Sequence, residues 1–319
     1  MRNPSRELTD RIGLACGALC VSASAVLLKL ASTAPATATA GRCLIALPVV
    51  AALAIPEWQR GQRLSRRALL SAVVGGALFA GDMLLWTQAI TEVGAGLSTV
   101  LVNTQVAVVP LLSWLIDREP VSRRFTLALP ALLVGVLLAG GLLEHGITGT
   151  DPTRGTIHAV GAALCYSGFL FLLRRGGQAG HPMQTYGVVL VASAFVAVAV
   201  GPWWHGFDAW PGWRALRWLT LVAVTGQLLG WLLVAFCSAR LPSTVNSALL
   251  LLTPVGAVAL GTVMLGERPS TLQLAGCALI LVAGYVGGAG VSTRMANGRR
   301  RGAPEESGDR SARASEAHE

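Results

Sequence analysis

A single carboxylate stands in the middle of a long apolar stretch of this sequence. Asp82 lies in "GDMLLW", residues 81–86, inside an apolar run from residue 69 to residue 90. A charged side chain at the centre of a bilayer costs roughly 2.5–3.5 kcal/mol on insertion scales, so it normally faces a partner, a water-filled cavity or a functional site. Every other Asp or Glu falls in a loop, a tail or a helix end. Asp82 therefore has two candidate roles: it exchanges a proton coupled to solute movement, or it binds a cationic group directly.

Three further residues join Asp82 through helical spacing and internal similarity. Trp86 follows Asp82 by four positions, which places the two on one helix face. The segment "GQLLGW", residues 226–231, matches "GDMLLW", so Gln227 and Trp231 form the equivalent pair. We expect these four side chains to line one cavity, where indole N–H groups and ring faces suit an amphipathic or cationic organic solute. The alternatives are a helix-to-helix hydrogen bond for Gln227 and a core or lipid-facing position for the tryptophans.

Lys29, Arg42 and Tyr166 are further candidates. Lys29 lies near the end of the first apolar run, about one helical turn from Asp82 in depth. A Lys29–Asp82 ion pair that breaks during a transport cycle is one hypothesis, and snorkelling of Lys29 to the headgroups is the other. Arg42 opens the second run and either attracts an anionic group or sits at the membrane interface. Tyr166 and Tyr186 are polar aromatic residues inside later runs.

Composition assigns the chain to membrane proteins. Of its 319 residues 53% are hydrophobic and only 13% are charged, against about 25% charged in soluble domains. The net charge of +9 does not indicate nucleic acid, because the arginines lie in short loops between apolar runs and not on one surface. The six cysteines lack metal-ligand spacing and are expected to pack as small hydrophobes. We expect no metal and no cofactor.

Apolar runs near 20 residues in length predict ten membrane helices. They cover 12–31, 36–55, 68–90, 94–115, 125–143, 156–174, 184–203, 216–237, 244–265 and 271–290. Most arginines then fall in alternate loops, so the positive-inside rule predicts that both termini are cytoplasmic. The bias to arginine, alanine and glycine suggests a GC-rich bacterial genome, and hence a bacterial cytoplasmic membrane.

An internal repeat with a spacing of 145 to 149 residues divides the chain. "GALCVSASAVLLK" (17–29) matches "AALCYSGFLFLLR" (162–174), and "STVLVNTQ" (98–105) matches "SALLLLTP" (247–254). Because each half holds five helices, an odd number, the second half lies upside down relative to the first, as in many secondary transporters. The predicted organisation is a cytoplasmic N-terminus (1–11), a first repeat (12–143), a linker (144–155), a second repeat (156–290) and a disordered cytoplasmic tail (291–319).

Residues 12 to 290 resemble the ten-helix EamA-type members of the drug/metabolite transporter superfamily. The resemblance rests on the doubled five-helix unit, on "LLKL" and "GR" around the first loop, and on "TPVGAVALGTVMLGERPSTLQLAGCALILVAG" near the end. In the first repeat Gln105 stands where the second has Pro254. Glu119 and Glu267 end the fourth and ninth spans, where a solvated cap or an ion pair with the adjacent arginine is expected. The resemblance implies small-solute transport, commonly export, by alternating access.

Three function classes remain at this point. The main hypothesis is a secondary transporter for a small metabolite, such as an amino acid, with a proton-coupled exporter of drugs or cationic compounds as its alternative. A membrane-embedded enzyme would need clustered acids, histidines or metal ligands, and the five histidines are scattered. A non-transporting receptor is the third class. The expected partners are a small solute, the lipid bilayer and, as a candidate coupling ion, the proton. Two complete repeats suffice for a pathway, so we expect a monomer or a weak homodimer.

Overall fold

The computed structural model is helical throughout the part of the chain that it describes. It describes residues 4–61, 63–118, 123–141, 150–176, 181–238, 240–241 and 243–301, and within these ranges there is no strand. The predicted all-α fold is therefore confirmed. Glu119 and residues 302–319 lie outside the described residues. The last described helix extends past residue 290, where the tenth span was predicted to end, to Arg301.

Thirteen α-helices are present in the described ranges. Their bounds are α1 (Pro4–Ala31), α2 (Pro35–Gln59), α3 (Arg66–Val93), α4 (Ala95–Val102), α5 (Gln105–Asp117), α6 (Arg123–Ala139), α7 (Pro152–Gly176), α8 (Pro182–Val200), α9 (Gly212–Val222), α10 (Trp231–Ser238), α11 (Ser243–Leu250), α12 (Leu252–Leu265) and α13 (Thr271–Arg301). A 3₁₀ turn, Gly201–Trp203, extends α8, and a π-helical segment, Ala223–Gly230, joins α9 to α10. Within the described residues, each of the ten predicted spans is mostly helical.

Eight helical stretches in the described part of the chain are long and apolar enough to cross a membrane, and Thr271–Val286 is a shorter apolar helix. The fifth predicted span is α6, which has 17 residues and packs along α13. Helices from the two predicted repeats pack against each other: α3 against α7 and α8, α2 against α8, and α1 and α4 against α12. The most extensive helix packing is therefore between the two halves.

The contacts define two ends of the bundle. One end contains the α2–α3 connection with Arg60 and Arg63, and it is called the arginine-rich end. The other end contains the connections after α1, α3 and α12, and it is called the opposite end. Glu57 at the arginine-rich end accepts hydrogen bonds from the backbone N–H groups of Met183 and Gln184, both at 3.0 Å. This carboxylate therefore caps the first turn of α8, where N–H groups have no partner within the helix.

Two of the predicted spans are broken near their middles. The fourth is interrupted at Asn103–Thr104, between α4 and α5, and the ninth at Leu251, between α11 and α12. Pro254 falls in the first turn of α12, where a missing N–H is tolerated. The break at Asn103–Thr104 is held by short-range hydrogen bonds, such as that from the Ala107 N–H to the Thr104 carbonyl at 2.8 Å. Discontinuous helices of this kind are a feature of transporters.

A glycine allows a close crossing between α3 and α8. At Gly76 on α3, a Cβ atom would lie 2.7 Å from the carbonyl oxygen of Val189 and 2.6 Å from the Cβ of Ala192, both on α8. The Ser193 hydroxyl donates to the Gly76 carbonyl at 2.7 Å. The two helices can therefore approach this closely only because position 76 has no side chain.

Candidate functional site

Arg42 is the centre of a buried polar site. It lies on α2 and is 3% exposed, although its guanidinium carries a full charge. Its Nη2 donates a hydrogen bond to Oε1 of Gln227 at 3.0 Å, and its guanidinium carbon lies 5.9 Å from the centroid of the Trp86 ring. This distance suits a cation–π contact. Three of the predicted site residues, on three different elements, are thus brought together.

Asp82 supplies a carboxyl group to the site. It is 4% exposed on α3, one turn from Trp86, and it interacts electrostatically with Arg42, Cys165 and Tyr166. Its carboxylate forms no hydrogen bond or ion pair within the described part of the chain. The Arg42 and Asp82 side chains therefore lie close enough to interact electrostatically, and they form no direct salt bridge.

An aromatic cluster lies beside these charges. Trp231, half-buried on α10, packs against Tyr186 with a centroid distance of 6.2 Å and an interplanar angle of 23°. It contacts Tyr166 edge-on, also at 6.2 Å, and it contacts Phe79 and Phe169. We call these five side chains the aromatic cluster. The cluster joins α3, α7, α8 and α10, so it offers an apolar wall built from both halves of the chain.

Local backbone geometry positions Gln227. The residue lies within the π-helical segment Ala223–Gly230, and it is fully buried. The Tyr186 hydroxyl donates to the backbone carbonyl of Gln227 at 3.1 Å. A π-helical stretch shifts the i→i−4 hydrogen-bond pattern, and such stretches occur frequently at functional sites. This π-helical segment was not predicted, because its composition is that of an ordinary apolar helix.

Four hydrogen-bond donors at this site have no partner among the described residues: Nε and Nη1 of Arg42, Nε1 of Trp86 and Nε2 of Gln227. A buried donor without a partner costs about 1–3 kcal/mol, and more when it is charged. Native proteins contain few such groups, and each needs an explanation. The four unpaired donor atoms belong to Arg42, Trp86 and Gln227, and both Trp86 and Gln227 contact Arg42.

The predicted Lys29–Asp82 ion pair is wrong. The Nζ of Lys29 lies 2.8 Å from Oε1 of Glu267, in the connection after α12. Asp82 lies eleven residues before the end of α3, about 16 Å along the axis, whereas Lys29 lies two residues before the end of α1. The difference in depth exceeds the reach of a lysine side chain. Lys29 therefore belongs to the opposite end of the bundle and not to the central site.

Glu267 is buried and not solvated, contrary to the expectation of a solvated cap. It is 7% exposed and accepts hydrogen bonds from the backbone N–H groups of Ala95 (2.6 Å) and Gly96 (3.1 Å) at the start of α4. Gly94, with φ of 97°, allows this approach, because a Cβ there would lie 2.9 Å from Oε1 of Glu267. We call Lys29, Glu267 and the first turn of α4 the clasp. The clasp connects the two halves at the opposite end.

A second buried acid, which was not predicted from the sequence, lies at the opposite end. Glu92, 7% exposed near the end of α3, accepts from Nε2 of Gln88 at 2.8 Å and lies 2.6 Å from Nδ1 of His158 on α7. The imidazole also packs against Trp204 at an interplanar angle of 49°, with centroids 6.0 Å apart. The four-residue spacing of Gln88 and Glu92 is the only signal that sequence carries, since His158 comes from the other half. In the described ranges, no three such side chains form a metal-binding group.

The fold and the site define a class: a helical membrane bundle with broken helices and a buried charged site between two halves, as in transporters of small solutes. The sequence profile of the EamA-like transporter family matches residues 11–141 and again residues 153–286. The chain belongs to the EamA-like transporter family, within the drug/metabolite transporter superfamily. The resemblance seen in the sequence is thereby confirmed.

Two known proteins are similar to this chain. The uncharacterized transporter sll0355 of Synechocystis sp. (strain ATCC 27184 / PCC 6803 / Kazusa) is 29% identical over 239 residues, which make up 68% of this chain and 69% of that protein. One solved crystal structure of a protein aligns with a TM-score of 0.58 at 19% identity, covering 92% of this chain and 100% of that one. The structural likeness shows a shared fold.

Proposed function

We propose that the protein is a secondary transporter that exports a small metabolite, such as an amino acid or a related solute, across the cytoplasmic membrane. Family membership supports transport of small solutes. The finer proposal is alternating access around a binding site near the middle of the membrane, between the two repeats.

One observation carries the proposal: the Arg42–Gln227 contact joins the two halves at a buried charged site. Arg42 belongs to the first segment matched by the family profile and Gln227 to the second. Asp82 and Trp86 add a carboxylate and an indole from the first segment, and Trp231 adds an indole from the second. A charge buried at a helix interface inside a membrane marks a substrate or ion pathway. We assign these residues to the solute site on that ground.

Orientation follows from the arginines. The arginine-rich end is assigned to the cytoplasm by the positive-inside rule, so both termini are cytoplasmic. The clasp then lies on the outer side. Two copies of the five-helix unit in one chain suffice to form a pathway, so a monomer is the proposed working unit.

The test is solute transport by the purified protein in liposomes. Vesicles loaded with a mixture of unlabelled amino acids should accumulate external radiolabelled amino acids by exchange, above the level of empty vesicles. Arg42→Gln should abolish this exchange. Arg154→Gln, which changes an arginine that is 76% exposed in its side chain at the opposite end, serves as the matched control and should leave exchange intact. Exchange at the level of empty vesicles for every amino acid and organic acid offered would refute the proposal.

A second candidate function is proton-coupled export of cationic organic compounds. The observation that favours it is Asp82, whose carboxylate has no hydrogen-bond partner in the described part of the chain and lies beside the aromatic cluster. Carboxylates and aromatic faces both attract organic cations. Ethidium efflux from energised vesicles, driven by an imposed pH gradient and lost in Asp82→Asn, would support this candidate over the first.

A further inference from the structure

We propose that the surface between α8 and the start of α9, at the opposite end of the bundle, binds the headgroup of an anionic phospholipid. Three tryptophans (Trp203, Trp210 and Trp213) and two arginines (Arg214 and Arg217) form this surface, which is called the basic–aromatic patch. The lipid belongs to the leaflet at the opposite end, which is the outer leaflet in the orientation proposed above.

The two arginines stand apart from the other arginines of the chain. Most arginines lie at the arginine-rich end, whereas Arg214 and Arg217 lie in the first two turns of α9, at the opposite end. Both side chains are exposed, and neither forms an ion pair or a hydrogen bond with any residue that the structure describes. Their spacing of three places them on one face of the helix. Two unpaired positive charges thus point out of the bundle at the end where the positive-inside rule expects few.

The depth of these arginines matches that of lipid headgroups. Since α9 opens the membrane span Gly212–Val234, Arg214 and Arg217 lie about 3 and 8 Å along the helix from its first residue. The headgroup region on each side of the hydrocarbon core is about 5–8 Å thick. Leu221 and Val224 follow Arg217 on the same exposed side and are apolar. The exposed face therefore changes from charged to apolar over the distance at which headgroups give way to acyl chains.

The opposite face of α9 is packed inside the protein. Ala215, Leu219 and Val222 are buried, and the helix contacts α1 and α2. The arginines therefore cannot turn inward, and lipid is what lies against their face of the span.

The tryptophans fix this part of the chain at the membrane interface. Trp203 ends the span Pro182–Trp203 and Trp213 belongs to the first turn of the next; the two side chains are 91% and 71% exposed. Trp210 is 58% exposed, and its ring meets that of Trp213 edge-on with centroids 5.1 Å apart. Indole rings concentrate at headgroup level. These side chains therefore place the two arginines beside lipid and not in bulk water.

The connection that carries the patch is held to the bundle. Trp204 and Phe207 pack inward against a buried cluster that includes the first turns of α2. The backbone N–H of Asp208 donates to Oγ1 of Thr37 at 2.8 Å, and Oδ1 of Asp208 accepts from the backbone N–H of Trp210 at 2.9 Å. Asp208 is the only acid between residues 201 and 217, and it is bonded to its own loop and not to the arginines.

A phosphate with a net negative charge fits these groups. A guanidinium binds phosphate oxygens through two parallel hydrogen bonds, which are strong because both partners are charged. Phosphatidylcholine carries a cation beside its phosphate, whereas phosphatidylglycerol carries the phosphate charge alone. The basic–aromatic patch should therefore prefer phosphatidylglycerol.

The test labels the patch with photoreactive lipids. The full-length protein is reconstituted in phosphatidylcholine vesicles with a minor fraction of phosphatidylglycerol, and a trace of either lipid carries a diazirine in its acyl chain. Tandem mass spectrometry locates the crosslinks. Per molecule of lipid, phosphatidylglycerol should label residues 203–224 several-fold more than phosphatidylcholine does. Equal labelling by the two lipids would overturn the proposal, as would a segment labelled by neither, because the patch would then face water or another protein.

Single substitutions separate the patch from general charge. An arginine near an anionic lipid surface changes lipid affinity about 5-fold, so Arg214→Gln and Arg217→Gln should each lower the ratio of the two labels by about that factor. Both side chains are exposed, so Tm in phosphatidylcholine alone should not change. Arg154→Gln is the matched control at the same end, because that side chain is 76% exposed but already pairs with Asp151. If Arg154→Gln lowers the ratio as far as Arg217→Gln does, net charge and not the patch attracts the lipid.

An arm with inorganic phosphate identifies the source of the phosphate group. Sodium phosphate is compared with sodium chloride at equal ionic strength, and the preference for phosphatidylglycerol should be the same in both. Loss of the preference in phosphate alone would assign the arginines to a soluble anion and refute the proposal. Labelling requires no transport, so its failure leaves the proposed function standing, and failure of solute exchange leaves the lipid site standing.

Discussion

Replacing Glu267 by glutamine should destabilise the protein more than removing its lysine partner. The Glu267 carboxylate accepts from two backbone N–H groups and from Lys29. The glutamine side chain keeps one acceptor oxygen but turns an NH₂ group towards another donor, so about one charge-assisted hydrogen bond is lost, worth roughly 1.5–3 kcal/mol. The Lys29 ion pair adds only about 0.5–1 kcal/mol, because the lysine side chain is 34% exposed and screened by solvent.

Thermal unfolding in detergent measures the difference. Glu267→Gln, losing about 2–4 kcal/mol, should lower Tm by roughly 5–10 °C, and Lys29→Met by about 2 °C. Glu57→Gln is the matched control, since that carboxylate caps the first turn of α8 at the other end through two backbone N–H groups. Its Tm should fall nearly as far as that of Glu267→Gln. If Lys29→Met lowers Tm as much as Glu267→Gln does, the ion pair and not the helix cap holds the clasp, and the reasoning is refuted.

Four further substitutions test the packing and the site. Gly76→Ala should destabilise the protein by about 1–3 kcal/mol, because the new Cβ clashes with α8. Gly75→Ala should stabilise it by about 0.5–1 kcal/mol, because its Cβ would meet its nearest atom at 3.6 Å. The two variants should therefore shift Tm in opposite directions. Tyr186→Phe should lower stability by about 1 kcal/mol, since the Gln227 carbonyl loses its donor, and equal urea midpoints would contradict it. Ser22→Ala should have a similar effect in the same assay, because the hydroxyl donates to the carbonyl of Thr253 in the first turn of α12 at 2.8 Å.

Much of the fold was predictable from sequence because membrane helices obey simple constraints. An apolar run near 20 residues must be helical to satisfy its backbone in a bilayer, and all ten runs are indeed helical. The doubled family match follows the repeat that "GDMLLW" and "GQLLGW" revealed. The helix interruptions were not predicted at their places: Pro110 lies inside α5, whereas the break lies at Asn103–Thr104.

Prediction of the site was limited by side-chain reach and by tertiary partners. Asp82, Trp86 and Gln227 were identified because repeat symmetry and four-residue spacing are visible in a sequence. Arg42 had no repeat counterpart, and its central position depends on a long side chain reaching across to Gln227. Glu267 looked like a solvated helix end, because nothing in its own neighbourhood indicates that the start of α4 lies against it.

The two broken spans differ in whether regular helical hydrogen bonds can form across the break. Across Asn103–Thr104 every residue up to position 109 carries a backbone N–H. The i→i−3 hydrogen bonds that hold this break can therefore be exchanged for the i→i−4 hydrogen bonds of a regular helix that joins α4 to α5. Between α11 and α12 the ring of Pro254 permanently removes one such bond and crowds the carbonyl four residues before it. The first break can therefore regain its regular hydrogen bonds, although Pro110 further along α5 still bends the helix, and the second break cannot. The two matched segments thus carry breaks at equivalent places that differ in one backbone hydrogen bond.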